Sequence, residues 1–160
     1  MNFAQKILSP EALPRWRQQW RESGRRLGVT NGCFDLLHAG HVTYLEAARN
    51  HADALLVGVN SDAAVRELKG PGRPVNLEAD RALVVAALES VDGVFIFRER
   101  DAVLFLQMVR PDIYVKGGDY TLETINQDER GFIESIGGEI ILLAHVPGKS
   151  TTSLLKKLAT

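Results

Sequence analysis

The chain has 160 residues, of which 45% are apolar and 24% charged, and its formal net charge is −1. That length supports one domain with a substantial buried core, the composition is that of an ordinary soluble globular chain, and the near-neutral balance excludes a global field for nucleic acid or anionic membrane. The lone Cys33 rules out an internal disulfide and fits a reducing cytosol, and the opening MNFAQKILSPEAL carries no apolar run long enough for a signal peptide or a membrane span, so a cytoplasmic location is expected.

The first expected element is an N-terminal helical extension within residues 1–26. Ser9 and Pro10 read as a cap and first turn, although Pro14 also suits a helix start. Leu13, Trp16 and Trp20 follow at helical spacing, so one face packs on apolar surface. Arg15, Arg17, Arg21, Arg25 and Arg26 make the other face basic. It reads as a solvated face with apolar stems rather than a nucleic-acid arm, because the charge is not sustained elsewhere.

From residue 27 to 160 the chain reads as one domain. A strand over 27–31 is followed by a helix over 42–50, and the apolar run 54–60 has the character of a strand buried on both faces. Residues 61–76 read as a polar loop, and 77–90 as a helix. A strand over 91–97, a helix over 102–109, a strand over 112–116, a helix near 127–136, a strand over 139–144 and a closing helix over 151–158 complete the pattern. Regular alternation of this kind predicts an α/β three-layer sandwich around a five-stranded parallel sheet with right-handed crossovers.

Open parallel sheets bind ligands beyond the carboxyl ends of their strands, and the polar clusters of this chain fall there. After the first strand comes Thr30-Asn31-Gly32-Cys33-Phe34-Asp35, then His38-Ala39-Gly40-His41 at a helix start. Free N–H groups, a close-approach glycine and two imidazoles in one turn suit a phosphate. Asn60 and Asp62 follow the second strand, Lys116, Gly117 and Asp119 follow the fourth, and Ser150, Thr151 and Thr152 follow the fifth. Gly148-Lys149-Ser150-Thr151 is not a P-loop, because Leu143 stands where the leading glycine belongs. Neither the dinucleotide glycine spacing nor a Walker lysine is present, no further histidine or cysteine stands at zinc-ligand spacing, and Cys33 in a phosphate-binding turn is a weak nucleophile candidate.

Together these residues resemble the nucleotidyltransferase superfamily with the His-x-Gly-His motif, the cytidylyltransferase-like group. The match rests on Gly32-Cys33-Phe34-Asp35, His38-Ala39-Gly40-His41 and Ser150-Thr151-Thr152, and extends from about Leu27 to Leu158. Val59-Asn60-Ser61-Asp62, Leu68-Lys69-Gly70, Arg73-Pro74-Val75-Asn76 and Lys116-Gly117-Gly118-Asp119-Tyr120 resemble the bacterial heptose 1-phosphate adenylyltransferases in particular, in their stand-alone form. Lys149 departs from the pattern of relatives, and Glu89-Ser90-Val91-Asp92 lacks the Arg-Tyr type of motif that cytidylyltransferases carry near the third strand.

The resemblance implies a Rossmann-like fold and transfer of AMP from ATP to a sugar 1-phosphate with release of pyrophosphate. It implies catalytic roles for His38, His41 and Lys116, and nucleotide contacts from Thr30, Asn31, Gly32, Cys33, Phe34, Gly40, Gly117, Asp119, Ser150, Thr151 and Thr152. Asp35, Asn60, Asp62, Lys69 and Arg73 are the expected substrate-binding residues. Magnesium is expected on the ATP phosphates rather than in a protein cage. The partners implied are ATP and a sugar phosphate, with no nucleic acid and no membrane. A homodimer is favoured by the family, with Trp16 and Trp20 as well suited to such a contact as to the core. The rival readings are a glycerol 3-phosphate cytidylyltransferase, another adenylyltransferase of the superfamily, and a nucleotide-binding module without turnover.

Overall fold

The computed structural model describes residues 2–144 and Leu155; apart from Leu155, the expected closing helix over 151–158 lies outside the described residues. After a 3-10 turn at Phe3–Lys6, the elements run α1 (Ala12–Glu22), β1 (Leu27–Gly32), α2 (Ala39–Arg49), β2 (Ala54–Asn60), α3 (Asp62–Lys69), α4 (Glu78–Ala86), β3 (Gly93–Phe97), α5 (Val103–Val109), β4 (Ile113–Gly117), α6 (Gln127–Ser135) and β5 (Glu139–Leu143).

All five strands pair in parallel, in the order β3-β2-β1-β4-β5. Strand alternation assigns the two faces. Leu55, Val57 and Val59 of β2 pack with Leu45 and Ala48 of α2 and with Ala82, Val85 and Ala86 of α4. Ala54 and Leu56 face the opposite way, toward Leu13 of α1, Phe105, Leu106 and Val109 of α5 and Ile133 of α6. The result is the expected three-layer sandwich, with every residue of β2 buried. Gly58 has a packing reason, since a Cβ there would stand 2.6 Å from the Phe105 ring.

The N-terminal segment is knitted to the sheet. Ile7 bridges Val94 at the β3 edge, and the Lys6 ammonium donates to the carbonyls of Leu88 and Val91 at 3.1 and 2.6 Å. Ser9 Oγ accepts from Ala12 N–H at 3.2 Å, and Pro14 falls in the first turn of α1, where a missing N–H costs no helical bond. Arg17 corrects the reading of a wholly solvated basic face. It is buried, and donates to the carbonyls of Val109 and Arg110 and to the Asp112 carboxylate, capping the end of α5.

The stretch 61–76 also departs from expectation, because half of it is α3. Ser61 caps this helix by accepting from Ala64 N–H, Ala64 and Val65 are its buried face, and Gly70 ends it at φ +90°. Its exposed residues are polar enough to disguise the helical pattern. Between β1 and β4 the strand order reverses, with β1 leading across to β2 on one side and β4 to β5 on the other. That switch point opens a crevice at the carboxyl ends of the strands.

Candidate active site

At the end of β1 the backbone turns through Phe34, whose φ of +46° lies in the left-handed region that is strained for a side chain of this size. The turn carries the chain into α2, whose N-cap is His38, in extended conformation and with no side-chain capping bond. His41 N–H donates to the His38 carbonyl at 2.9 Å, and the two imidazoles stack with centroids 3.9 Å apart and planes 26° from parallel. The Phe34 ring lies 5.4 Å from that of His41. Two nitrogen heterocycles are thereby gathered at the positive end of an eleven-residue helix.

One wall of the crevice comes from β4. Lys116 at its end reaches 3.3 Å from Asn31 Oδ1 on β1 and 3.7 Å from Glu129 Oε2 on α6. Burial pulls the ammonium below its usual pKa, while the Glu129 carboxylate opposes that shift. Tyr44, one turn beyond His41 on α2, pairs its hydroxyl with Thr30 Oγ1 at 2.6 Å and donates to the Val115 carbonyl at 3.1 Å; burial drives its own pKa strongly upward. Gly117 leaves room for that ring, which a Cβ would overlap.

The opposite wall is a clasp on the loop before α4. Asp35 is buried, and its two oxygens accept from Arg73 Nε at 2.6 Å, from Val75 N–H at 2.8 and 3.0 Å and from Asn76 N–H at 3.0 Å. Burial alone would raise its pKa; the Asn76 and Val75 N–H groups and the Arg73 guanidinium outweigh it and hold the carboxyl below the usual range. Arg81, fully buried, completes the clasp by donating to the carbonyls of Asn76 and Cys33 and to Asp62 Oδ1.

Between these walls lies a cavity of about 890 Å³, in the size range of small-molecule sites. Of the residues expected from sequence, it is lined by Asn31, Gly32, Cys33, Phe34, Asp35, His38, Gly40, His41, Asn60, Lys69, Arg73, Lys116 and Gly117. Three others stand elsewhere. Thr30 is fully buried with its hydroxyl on Tyr44, Asp62 holds Arg81, and Asp119 is exposed beyond the lining. Asp35 lines the cavity but spends both oxygens on the clasp, so it is a loop anchor rather than an acceptor for a sugar hydroxyl. Ser150, Thr151 and Thr152 lie outside the described residues. Burial raises the Cys33 thiol pKa against the pull of Lys69, Arg81 and Arg73, which is not the environment of an activated nucleophile.

Sequence reasoning missed Tyr44, Arg100, Asp101, Asn126 and Glu129, all on the cavity wall. Tyr44 was accessible, because it shares a helix face with His41. Arg100 and Asp101 follow the third strand, the one strand end that carried no recognised cluster.

Comparisons with known proteins agree with this geometry. Residues 29–154 match the family model described as cytidylyltransferase-like. A bifunctional protein HldE of Methylobacillus flagellatus is 49% identical over 157 residues, covering 98% of this chain and 32% of the relative. Another HldE, from Rhodopseudomonas palustris, is 52% identical over 153 residues. The chain thus spans about a third of the length of the curated relatives it matches. Among solved structures, a lipopolysaccharide core biosynthesis protein of Thermoplasma volcanium superposes with TM-score 0.63 at 27% identity, covering 77% of this chain and 98% of that one. The family model spans most of the chain, including the strand ends that carry the stacked histidines and Lys116, and the chain belongs to the cytidylyltransferase-like family.

Proposed function

We propose that the chain transfers AMP from ATP to a sugar 1-phosphate, with a heptose 1-phosphate as acceptor, giving the ADP-sugar and pyrophosphate. The observation that carries this reading is the His38–His41 stack at the start of α2, facing a cavity that Lys116 enters from β4. The bifunctional HldE relatives and the lipopolysaccharide biosynthesis neighbour support the sugar-nucleotide direction.

In the reaction an oxygen of the acceptor's phosphate attacks the α-phosphorus of ATP, and the bond from that phosphorus to the bridging oxygen of pyrophosphate breaks. The attacking oxygen is already ionised at neutral pH, so no general base is required. Catalysis then comes from alignment and from stabilising charge on the α-phosphate and the departing pyrophosphate. His38, His41 and the N–H groups of the first turn of α2 suit the phosphate chain, with Lys116 as a second cation. Lys69 and Arg73, on the far wall, suit the acceptor phosphate. Asn60, buried at the end of β2 and lining the cavity, suits a sugar or ribose hydroxyl. Magnesium enters as part of the ATP substrate, held by triphosphate oxygens. The buried carboxylates on the wall do not supply it with a cage, since Asp35 is held by Arg73 and backbone N–H groups and Glu129 by Tyr114, Ala102 and Lys116.

The test is pyrophosphate release with magnesium and ATP or CTP, run separately with heptose 1-phosphate and glycerol 3-phosphate. Release with ATP and the heptose phosphate alone is expected. Turnover confined to CTP and glycerol phosphate would replace the reading with the cytidylyltransferase one. ATP binding without pyrophosphate release in the presence of either acceptor would replace it with a binding module.

A further inference from the structure

Glu129 is the least expected residue on the cavity wall. Its helix, α6, packs on the sheet through Ile133, with Phe132 and Ile136 partly buried against the same core, where an apolar residue is the inexpensive choice. Glu129 is nonetheless 97% buried, being 3% exposed. A buried carboxylate is costly unless its oxygens are satisfied. They are: Oε1 accepts from Ala102 N–H at 2.9 Å, at the foot of the loop that carries Arg100 and Asp101, and Oε2 accepts from the Tyr114 hydroxyl at 2.8 Å. The same Oε2 stands 3.7 Å from Lys116 Nζ. The Tyr114 hydroxyl has one hydrogen and a second acceptor, Asn31 Oδ1, at 2.7 Å; Lys116 Nζ lies 3.3 Å from that same oxygen. Two strands, β1 and β4, and the start of α5 are therefore joined around one carboxylate, and the lysine stands farther from it than its other two partners do.

We propose that Glu129 is a positioning residue: with Tyr114 and Asn31 it holds the Lys116 ammonium at the mouth of the β1–β4 crevice, aimed at the phosphates of the nucleotide, and ties that placement to the 100–102 loop. The inference rests on the phosphoryl-transfer reading for its catalytic consequence and on the cluster geometry for its electrostatic one. Tyr114 and Tyr120 lie beside Lys116, and the cavity it enters is also lined by Tyr44, His38 and His41 from α2, by Arg100 and Asp101 after β3, and by Cys33, Asp35, Lys69 and Arg73 on the far side. The two buried tyrosines, Tyr44 and Tyr114, are pushed above their ordinary range and stay neutral at neutral pH. Glu129 is what favours the charged form of Lys116 against the cost of burial.

Two measurements test this, each with a control for folding. In a double-mutant cycle on the rate of pyrophosphate release, Glu129→Gln alone slows turnover at least tenfold, and adding it to Lys116→Met slows that variant no further. Losses that simply multiply would overturn the proposal, because a structural glutamate acts regardless of the lysine. The second readout needs no substrate, so it survives failure of the functional reading. The NMR titration of the Lys116 ammonium moves to lower pH in Glu129→Gln, and an unmoved titration in a folded variant overturns the proposal. Glu129→Gln keeps the side-chain shape; should it not fold, Glu129→Asp, whose shorter side chain draws the carboxylate away from the ammonium, is expected to move the Lys116 titration to lower pH as well, and an unmoved titration in that variant overturns the proposal.

Discussion

Both walls of the crevice hold a carboxylate that is 3% exposed and faces a cation, yet the two pairs are built differently. Asp35 meets Arg73 at 2.6 Å and takes two backbone N–H groups besides, so every approach to it is filled. Glu129 keeps Lys116 at 3.7 Å and spends its closer contacts on a tyrosine and a backbone N–H. A planar guanidinium and a carboxylate lock in a fixed geometry, whereas an ammonium on a flexible stem is held as a point charge and can be redirected. The first wall fixes the shape of a loop; the second keeps a charge available to a ligand.

That contrast predicts a separation of effects. The largest belongs to the phosphate side: His41→Ala lowers kcat by about 10²–10³-fold, the value of one preorganised donor, with Tm unchanged. Lys116→Met behaves in the same way. If either variant turned over like the parent, the division of roles between the walls would collapse. On the other wall, Asp35→Asn lowers stability by about 2–3 kcal/mol in denaturant melts, since it weakens charge-assisted bonds, and raises KM for the acceptor more than it lowers kcat. Its pH dependence has a defined sign. The folded Asp35 pKa is depressed, so its stabilisation is present above the unfolded carboxylate value, about 4, and is lost as pH falls through the folded value. The Asn variant therefore loses less stability than the parent on acidification.

Smaller effects sharpen the picture. Gly117→Ala forces a Cβ into the Tyr44 ring and is expected to cost about 1–3 kcal/mol as overpacking, read as a drop in Tm. Arg26→Ala removes a pair with Glu139 in which both side chains are 53% exposed. It should change stability by no more than about 1 kcal/mol, less still in high salt.

What the sequence disclosed follows from the range of the interactions. The strands, the parallel sheet and the histidine turn were legible because apolar periodicity, a helix start and His38-Ala39-Gly40-His41 are all local signals. The helix α3 was hidden, since only Ala64 and Val65 are its buried face and the rest reads as loop. Asp35 carried the right chemistry for a sugar hydroxyl, but its partners Arg73, Val75 and Asn76 arrive only by tertiary folding. The place of the Thr30 hydroxyl was hidden for a similar reason: it turns to Tyr44 rather than to the crevice. Glu129 was invisible as a site residue, because nothing near it in sequence announces that Tyr114, Ala102 and Lys116 converge on it.

The most direct test of the central claim is single-turnover pyrophosphate release from ATP and heptose 1-phosphate, comparing the parent with His41→Ala and Asp35→Asn at saturating substrates. The account predicts rapid release by the parent, a loss of about 10²–10³-fold in His41→Ala and near-parent release in folded Asp35→Asn. Equal rates in the parent and His41→Ala, or a collapse confined to Asp35→Asn, would place the chemistry on the other wall and contradict it.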